Sequence, residues 1–128
     1  MPTKKIVSTD RAPKAVGPYS QAVISGGFVF LCGQGPLDPA TGRVVEGEIT
    51  AQTERVLQNL SAVLEASGSS LAQVLKVTVF LADMSDFQKM NQVYSRFFPV
   101  DPPTSTTVEA ARLPLDTLVE IDAIAAAG

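Results

Sequence analysis

Two carboxylates sit two residues apart on a strand-like stretch near the end of the chain. Residues 117–125 alternate, so Leu118, Glu120, Asp122 and Ile124 share one face and Val119, Ile121, Ala123 and Ala125 the other. Glu120 and Asp122 are thereby about 7 Å apart among apolar neighbours. An acid in such company is costly unless hydrogen-bonded, ion-paired or protonated, and acids perturbed in this way are candidates for proton transfer. The alternative is that both lie on a solvated strand face, and the pattern alone leaves the two open.

The composition leaves little else to do chemistry. The chain has no histidine, no tryptophan and a single cysteine, Cys32. Ser–His and Cys–His pairs are excluded, as is imidazole acid–base catalysis. A four-ligand Cys/His zinc site cannot be built within one chain. No disulfide can form within a chain, which fits a reducing cytosol. The net charge is −3 and the pI about 4.8. Lys4, Lys5, Arg11 and Lys14 cluster near the start and the other cations are scattered, so a nucleic acid is not an expected partner. The opening Met1–Val7 is too polar for a signal peptide and no run approaches a membrane span. We expect a cytoplasmic protein in which residues 1–128 form one domain.

The elements that must position these residues follow from periodicity and turn chemistry. Residues 4–8 read as a first strand, and 12–17 as a loop punctuated by Pro13, Gly17 and Pro18. Strands at 20–25 and 28–33 are joined by Gly26-Gly27, a two-residue hairpin signal, and 35–42 is an irregular loop. A helix over 48–67 has the stripe Ile49, Val56, Leu60, Val63 and Leu64 and stops at Gly68. Residues 74–82 predict a strand with Leu75, Val77, Val79 and Leu81 on one face and Val74 and Phe80 on the other. Ser85-x-x-Gln88 has the form of a capping box opening a second helix, with the stripe Phe87, Met90, Tyr94, Phe97 and Phe98. The stretches 104–111 and 117–125 read as one β-hairpin turning at Leu113–Asp116.

The fold expected is α+β, a mixed sheet of about six strands with two helices on one face. The strand at 28–33 is apolar on both sides, with Phe28, Phe30 and Cys32 against Val29 and Leu31. The side without helices therefore needs cover, for which a second copy of the chain is the simplest source.

In this order, Gly17-Pro-Tyr-Ser-Gln-Ala22, Cys32-Gly-Gln34, Asn91-x-x-Tyr-x-x-Phe-Phe98 and Val108-x-x-Ala-Arg-Leu-Pro114 with Val119-Glu-Ile121 resemble the RidA (YjgF) family of reactive-intermediate deaminases, over essentially the whole chain. The resemblance implies a chorismate-mutase-like subunit in a homotrimer, with small-molecule clefts at the subunit interfaces. It also implies hydrolysis of enamines and imines such as 2-iminobutanoate and 2-iminopropanoate, released by pyridoxal-phosphate enzymes, without metal or cofactor.

Carried over residue by residue, Glu120 holds and activates the attacking water and Tyr19 forms a polar aromatic wall at the rim. Gly33 and Gln34 line the cleft, Cys32 stands where many relatives have serine, and Asn91 hydrogen-bonds the ligand. Asp122 is left to pair with a basic residue across the interface. Taken as residues alone, Tyr19 can also be a half-buried ring after a Gly-Pro turn, Gly33 a strand-end kink and Cys32 a small buried hydrophobe.

One position departs from the family pattern. The deaminase branch begins the segment before Val108 with an arginine that grips the imino-acid carboxylate as a fork, and here that position is Ser105. The backbone amides and hydroxyls of Ser105, Thr106 and Thr107 remain to bind a ligand. Arg112 lies seven residues on, about 23 Å along an extended chain, and is not expected to substitute. Three functions stay in view: hydrolysis of an imine or enamine other than the usual 2-imino acids, a non-catalytic metabolite-binding or regulatory trimer, and the ribonuclease or translation-inhibitor role ascribed to some relatives.

Overall fold

A computed structural model describes residues 3–128. Six strands form one sheet: β1 (Lys5–Val7), β2 (Ala22–Ser25), β3 (Phe28–Gln34), β4 (Val74–Leu81), β5 (Thr104–Glu109) and β6 (Val119–Ala126), in the spatial order β1-β2-β3-β6-β4-β5. Two helices, α1 (Ile49–Ala66) and α2 (Phe87–Phe97), pack on one face and against each other. The expected α+β architecture is the observed one.

Gly26 and Gly27, with φ of 60° and 84°, make the turn that folds β2 onto β3. Both central residues of such a turn need positive φ, which glycine adopts at little cost. Helix α1 ends in a paired cap: Gly68 N–H donates to the Glu65 carbonyl and Ser69 N–H to that of Leu64. Gly68 takes the left-handed conformation this requires, φ 76°.

Three sequence expectations are corrected. Residues 104–125 are not a hairpin: β5 pairs only with β4, in parallel, and β4 separates it from β6. The turn over 113–116 exists, but the chain around it crosses the end of β4 instead of folding back beside it. Composition explains the outcome. The Thr/Ser-rich β5 suits a sheet edge, whereas the Val/Leu-rich β4 suits the centre. Second, a bulge between Val74 and Lys76 turns Val74 into the core and leaves Leu75 exposed, so the odd-position face holds only over 77–81. Third, the turn that leads into α2 is capped by Asp83, whose Oδ1 accepts from Ser85 N–H at 2.9 Å and Ser85 Oγ at 2.7 Å. Ser85 is occupied as a donor, so the Ser85–Gln88 box does not form. Val93, outside the predicted stripe, is buried with Met90 and Tyr94.

The core between sheet and helices contains Val29, Leu31, Val77, Val79, Leu81, Val119, Ile121 and Ala123 from the strands, against Val56, Leu57, Leu60, Val63 and Leu64 of α1. On the opposite face Phe28 and Phe30 remain 44% and 43% exposed. Glu120 and Asp122 point to this open face, Glu120 in register with Phe80 and Asp122 with Thr78.

Buried amides fix the loops at one end of the sheet. Gln21 Oε1 accepts from Thr9 N–H at 2.6 Å, and its Nε2 donates to the carbonyls of Thr9 and Pro13. Asn59 Nδ2 donates to the carbonyls of Gly35 and Leu37, and Gln52 Oε1 accepts from Leu118 N–H at 2.9 Å. Asn59 is fully buried, so its removal leaves two loop carbonyls short of a donor. Replacing it (Asn59→Ala) should lower the unfolding free energy by about 2–3 kcal/mol in urea titration; a midpoint equal to wild type would show that the 35–37 loop holds itself.

Candidate functional site

The three anchored segments enclose one cavity, of about 330 Å³. Its floor is Glu120 of β6 with Cys32, Gly33 and Gln34 of β3. One wall is Pro13, Lys14, Val16 and Tyr19, and the other Pro114, Leu115 and Thr117, with Gly35 and Leu37 completing the lining. Tyr19, Cys32, Gly33, Gln34 and Glu120, singled out in the sequence, are thus brought together within one chain.

A second β-bulge makes the floor possible. Leu31 pairs with Ala123 and Gln34 with Ile121, so three steps along β3 match two along β6, and the extra residue falls at Cys32–Gly33. The Glu120 carboxyl lies over Gly33: a Cβ there would come 2.5 Å from Oε2 and 2.9 Å from Cδ. Glycine is present because of this close approach, and its φ is not in the left-handed range.

Glu120 is half-buried, and among the described residues no side-chain hydrogen bond or ion pair holds its carboxyl. Burial pushes its pKa above the ordinary glutamate range, and the neighbouring Asp122 adds to the rise. Burial also raises the Cys32 thiol; the Gln34 Nε2 contact at 3.4 Å works the other way, and Glu120 adds a further rise. Cys32 therefore stays a thiol, a poor nucleophile. The Tyr19 hydroxyl accepts from Val16 N–H at 3.3 Å, which leaves its own proton for another partner. Among the described residues no three His, Cys, Asp or Glu side chains converge as a metal site would need.

The remaining predicted residues lie elsewhere. Asn91 is exposed on α2, and Ser105, Thr106 and Thr107 lie on the edge strand β5. Two strand spacings, roughly 10 Å, separate β5 from β6. Register divides these three residues: Thr106 pairs with Thr78 on the open face, whereas Ser105 and Thr107 pair with the core-facing Val77 and Val79. Ser105 lies near the Tyr94 hydroxyl, which is buried without a hydrogen-bond partner. Burial raises the Tyr94 pKa and Ser105 moderates the rise. Arg112 is in a loop, not on a strand, and is paired with Asp116 at 2.8 Å.

Sequence reasoning missed Lys14, Val16 and Leu115 on the walls and the amides Gln21, Gln52 and Asn59 behind them. The helical amides carried a signal: Gln52 and Asn59 share the i, i+3, i+4 register of Val56 and Val63.

A domain of this topology with an acid in a cleft at the end of its sheet is a YjgF-type fold, and comparison with known proteins agrees. The family model described as Endoribonuclease L-PSP matches residues 9–127. A RutC family protein of Pyrococcus horikoshii is 53% identical over 122 residues, covering 95% of this chain and 97% of that protein. The mouse 2-iminobutanoate/2-iminopropanoate deaminase is 41% identical over 125 residues, covering 98% and 93%. A solved structure of a candidate endoribonuclease from Thermotoga maritima superimposes with a TM-score of 0.95 at 52% identity, covering 98% of this chain and 99% of that one. The chain belongs to the RidA (YjgF) family.

Replacing Gly33 with alanine should leave the circular dichroism spectrum unchanged while displacing the carboxyl toward solvent. The Glu120 titration, followed by carbon-13 NMR, should then move down toward the ordinary glutamate value. An unmoved titration would show that the carboxyl does not rest over Gly33.

Proposed function

We propose that the cavity is a hydrolytic site for a reactive imine or enamine, with Glu120 as general base. The observation that carries this reading is the half-buried carboxyl beside Asp122, its pKa raised by burial and by that neighbour, with no cation among the described residues paired to it. The family's deaminase members, among them the mouse relative, support it at the level of reaction class.

Glu120 accepts a proton from water as the oxygen adds to the imine carbon. It passes that proton to nitrogen to give a carbinolamine. It then takes the proton of the new hydroxyl and delivers it to the same nitrogen as C=O forms and the C–N bond breaks, leaving a carbonyl compound and ammonia. An enamine first takes a proton on carbon and gives one up from nitrogen, becoming the imine. A raised pKa makes the Glu120 carboxylate a stronger base than an ordinary glutamate, and its protonated form returns the proton in the second half. The Tyr19 hydroxyl keeps its proton and donates a hydrogen bond to the oxygen as the carbonyl forms, and the Gly33-Gln34 segment lines the floor.

Asn91 on α2 and the 105–107 segment on β5 do not line the cavity of their own chain, so their contribution requires a neighbouring protomer. We place the complete cleft at the interface of a homotrimer, covering Phe28 and Phe30. With serine at 105 the bidentate carboxylate fork is missing, so 2-imino acids lose the two-point grip that the family pattern gives them. The family model's description names an endoribonuclease; a chain without histidine and with one lysine on the cleft wall is poorly equipped for RNA cleavage.

Glu120→Gln should reduce substrate-dependent ammonia release by at least about 100-fold on a panel of imines generated in situ, with the assembly unchanged by light scattering. Equal rates in the two proteins would end the base assignment. Activity should fall on acidification as Glu120 takes up a proton, with the limb above the ordinary glutamate pKa. Removing the neighbouring charge (Asp122→Asn) lowers that pKa, so the acid limb should move to lower pH; a shift the other way would contradict the coupling.

A further inference from the structure

We propose that Lys14 anchors the anionic group of the substrate, so that the site binds a carboxylate through one ammonium on the Tyr19 wall. This inference rests on the reading of the cavity as the substrate site. Lys14 lines the same cavity as Tyr19, Cys32 and Glu120, and it is the cation among the lining residues.

The other nearby cations are otherwise engaged. Arg112 pairs with Asp116, Arg11 lies 3.7 Å from Glu65, and Arg43 is on the 38–43 turn outside the lining. Among the described residues Lys14 has no ion-pair partner. Among the described residues no cation offsets the rise imposed on Glu120 and no ion pair joins it to Lys14, so the ammonium is not spent on that carboxyl.

The main chain beneath Lys14 is fixed as well. The buried Gln21 amide donates to the Ala12 and Pro13 carbonyls at 3.4 and 2.8 Å and binds Thr9 through both its side-chain atoms. The Lys14 stem thus leaves a rigid base beside the cavity mouth. A lysine is a point charge on a flexible stem and not a planar fork, so the contact it gives is single, weaker and sensitive to salt. Lys14 lines the cavity whereas Ser105 lies outside it on β5, and the bound acid is oriented by one charge.

The test compares 2-oxobutanoate, the hydrolysis product of 2-iminobutanoate, with its uncharged methyl ester, by NMR titration of the assembled protein. Wild type should prefer the acid, and more so at low salt. Lys14→Gln should bind the acid about 5- to 20-fold more weakly with the ester unchanged, and Lys14→Arg should recover most of the loss. The proposal is overturned by any of three results: wild type not preferring the acid, Lys14→Gln binding the acid as tightly as wild type, or an equal loss for acid and ester. Glu120→Gln separates the two assignments. It should keep or strengthen acid binding, since it removes a negative charge, whereas retained hydrolysis in that variant would sink the base assignment and leave the lysine result standing.

Discussion

The site depends on one extra residue in one strand. Without the bulge at Cys32–Gly33, β3 and β6 would stay in continuous register, and a side chain on β3 would fill the space the Glu120 carboxyl occupies. The bulge and the missing Cβ together let an acid fold down onto a neighbouring backbone, partly out of water, where its charged form is disfavoured. The raised pKa, the Cys32 thiol held neutral beside it and the hollow above both follow from that placement.

A carboxyl in a hollow becomes a site only if the hollow keeps its shape, and here the walls are irregular chain. Loops supply few mutual backbone bonds, so their polar groups need partners from elsewhere. Gln21, Gln52 and Asn59 provide them, each from a regular element or its immediate edge to a loop at the same end of the sheet. A buried amide suits the task because it offers both donors and an acceptor without the desolvation cost of a charge. The left-handed backbone of Leu115 and Asp116, with φ of 58° and 54°, is tolerated on the far wall by the same logic. Its neighbour Thr117 is buried and returns a hydrogen bond to the Pro114 carbonyl at 3.1 Å.

Much of this was legible in the chain, for reasons that differ by element. The alternation of β6 is strict, so the faces of Glu120 and Asp122 could be read directly, and the Gly26-Gly27 turn declared its own conformation. Pairing partners were less accessible: nothing local in 104–125 says that another strand inserts between its two halves. The contrast between a Thr/Ser-rich β5 and an apolar β4 was the available clue. The bulge near Leu75 has no glycine or proline to mark it in the sequence. Asp83 and Ser85 are both good capping residues, and the geometry of the approach to α2 decides between them. The family motifs drew Tyr19, Gly33, Gln34 and Glu120 together, whereas Lys14 sits in a loop whose path only the Gln21 bonds reveal.

The charges in the cleft make sense only as a separated set. Were an ammonium placed against Glu120, it would pull the carboxyl pKa down and make it a weaker base, and the ion pair would consume the one cation a substrate could use. Held on the loop wall, with the carboxyl on the strand floor, the two can act on different parts of one molecule. An imine carbon over Glu120 and an acid group toward Lys14 would span the cavity in a single orientation. On the proposed reading, charge separation across the hollow would select the direction of binding, which a lone carboxyl or a lone lysine could not do. The two elements that enforce it, a bulged strand and a glutamine-pinned loop, meet at the open side of the sheet, where exposed Phe28 and Phe30 continue the same surface.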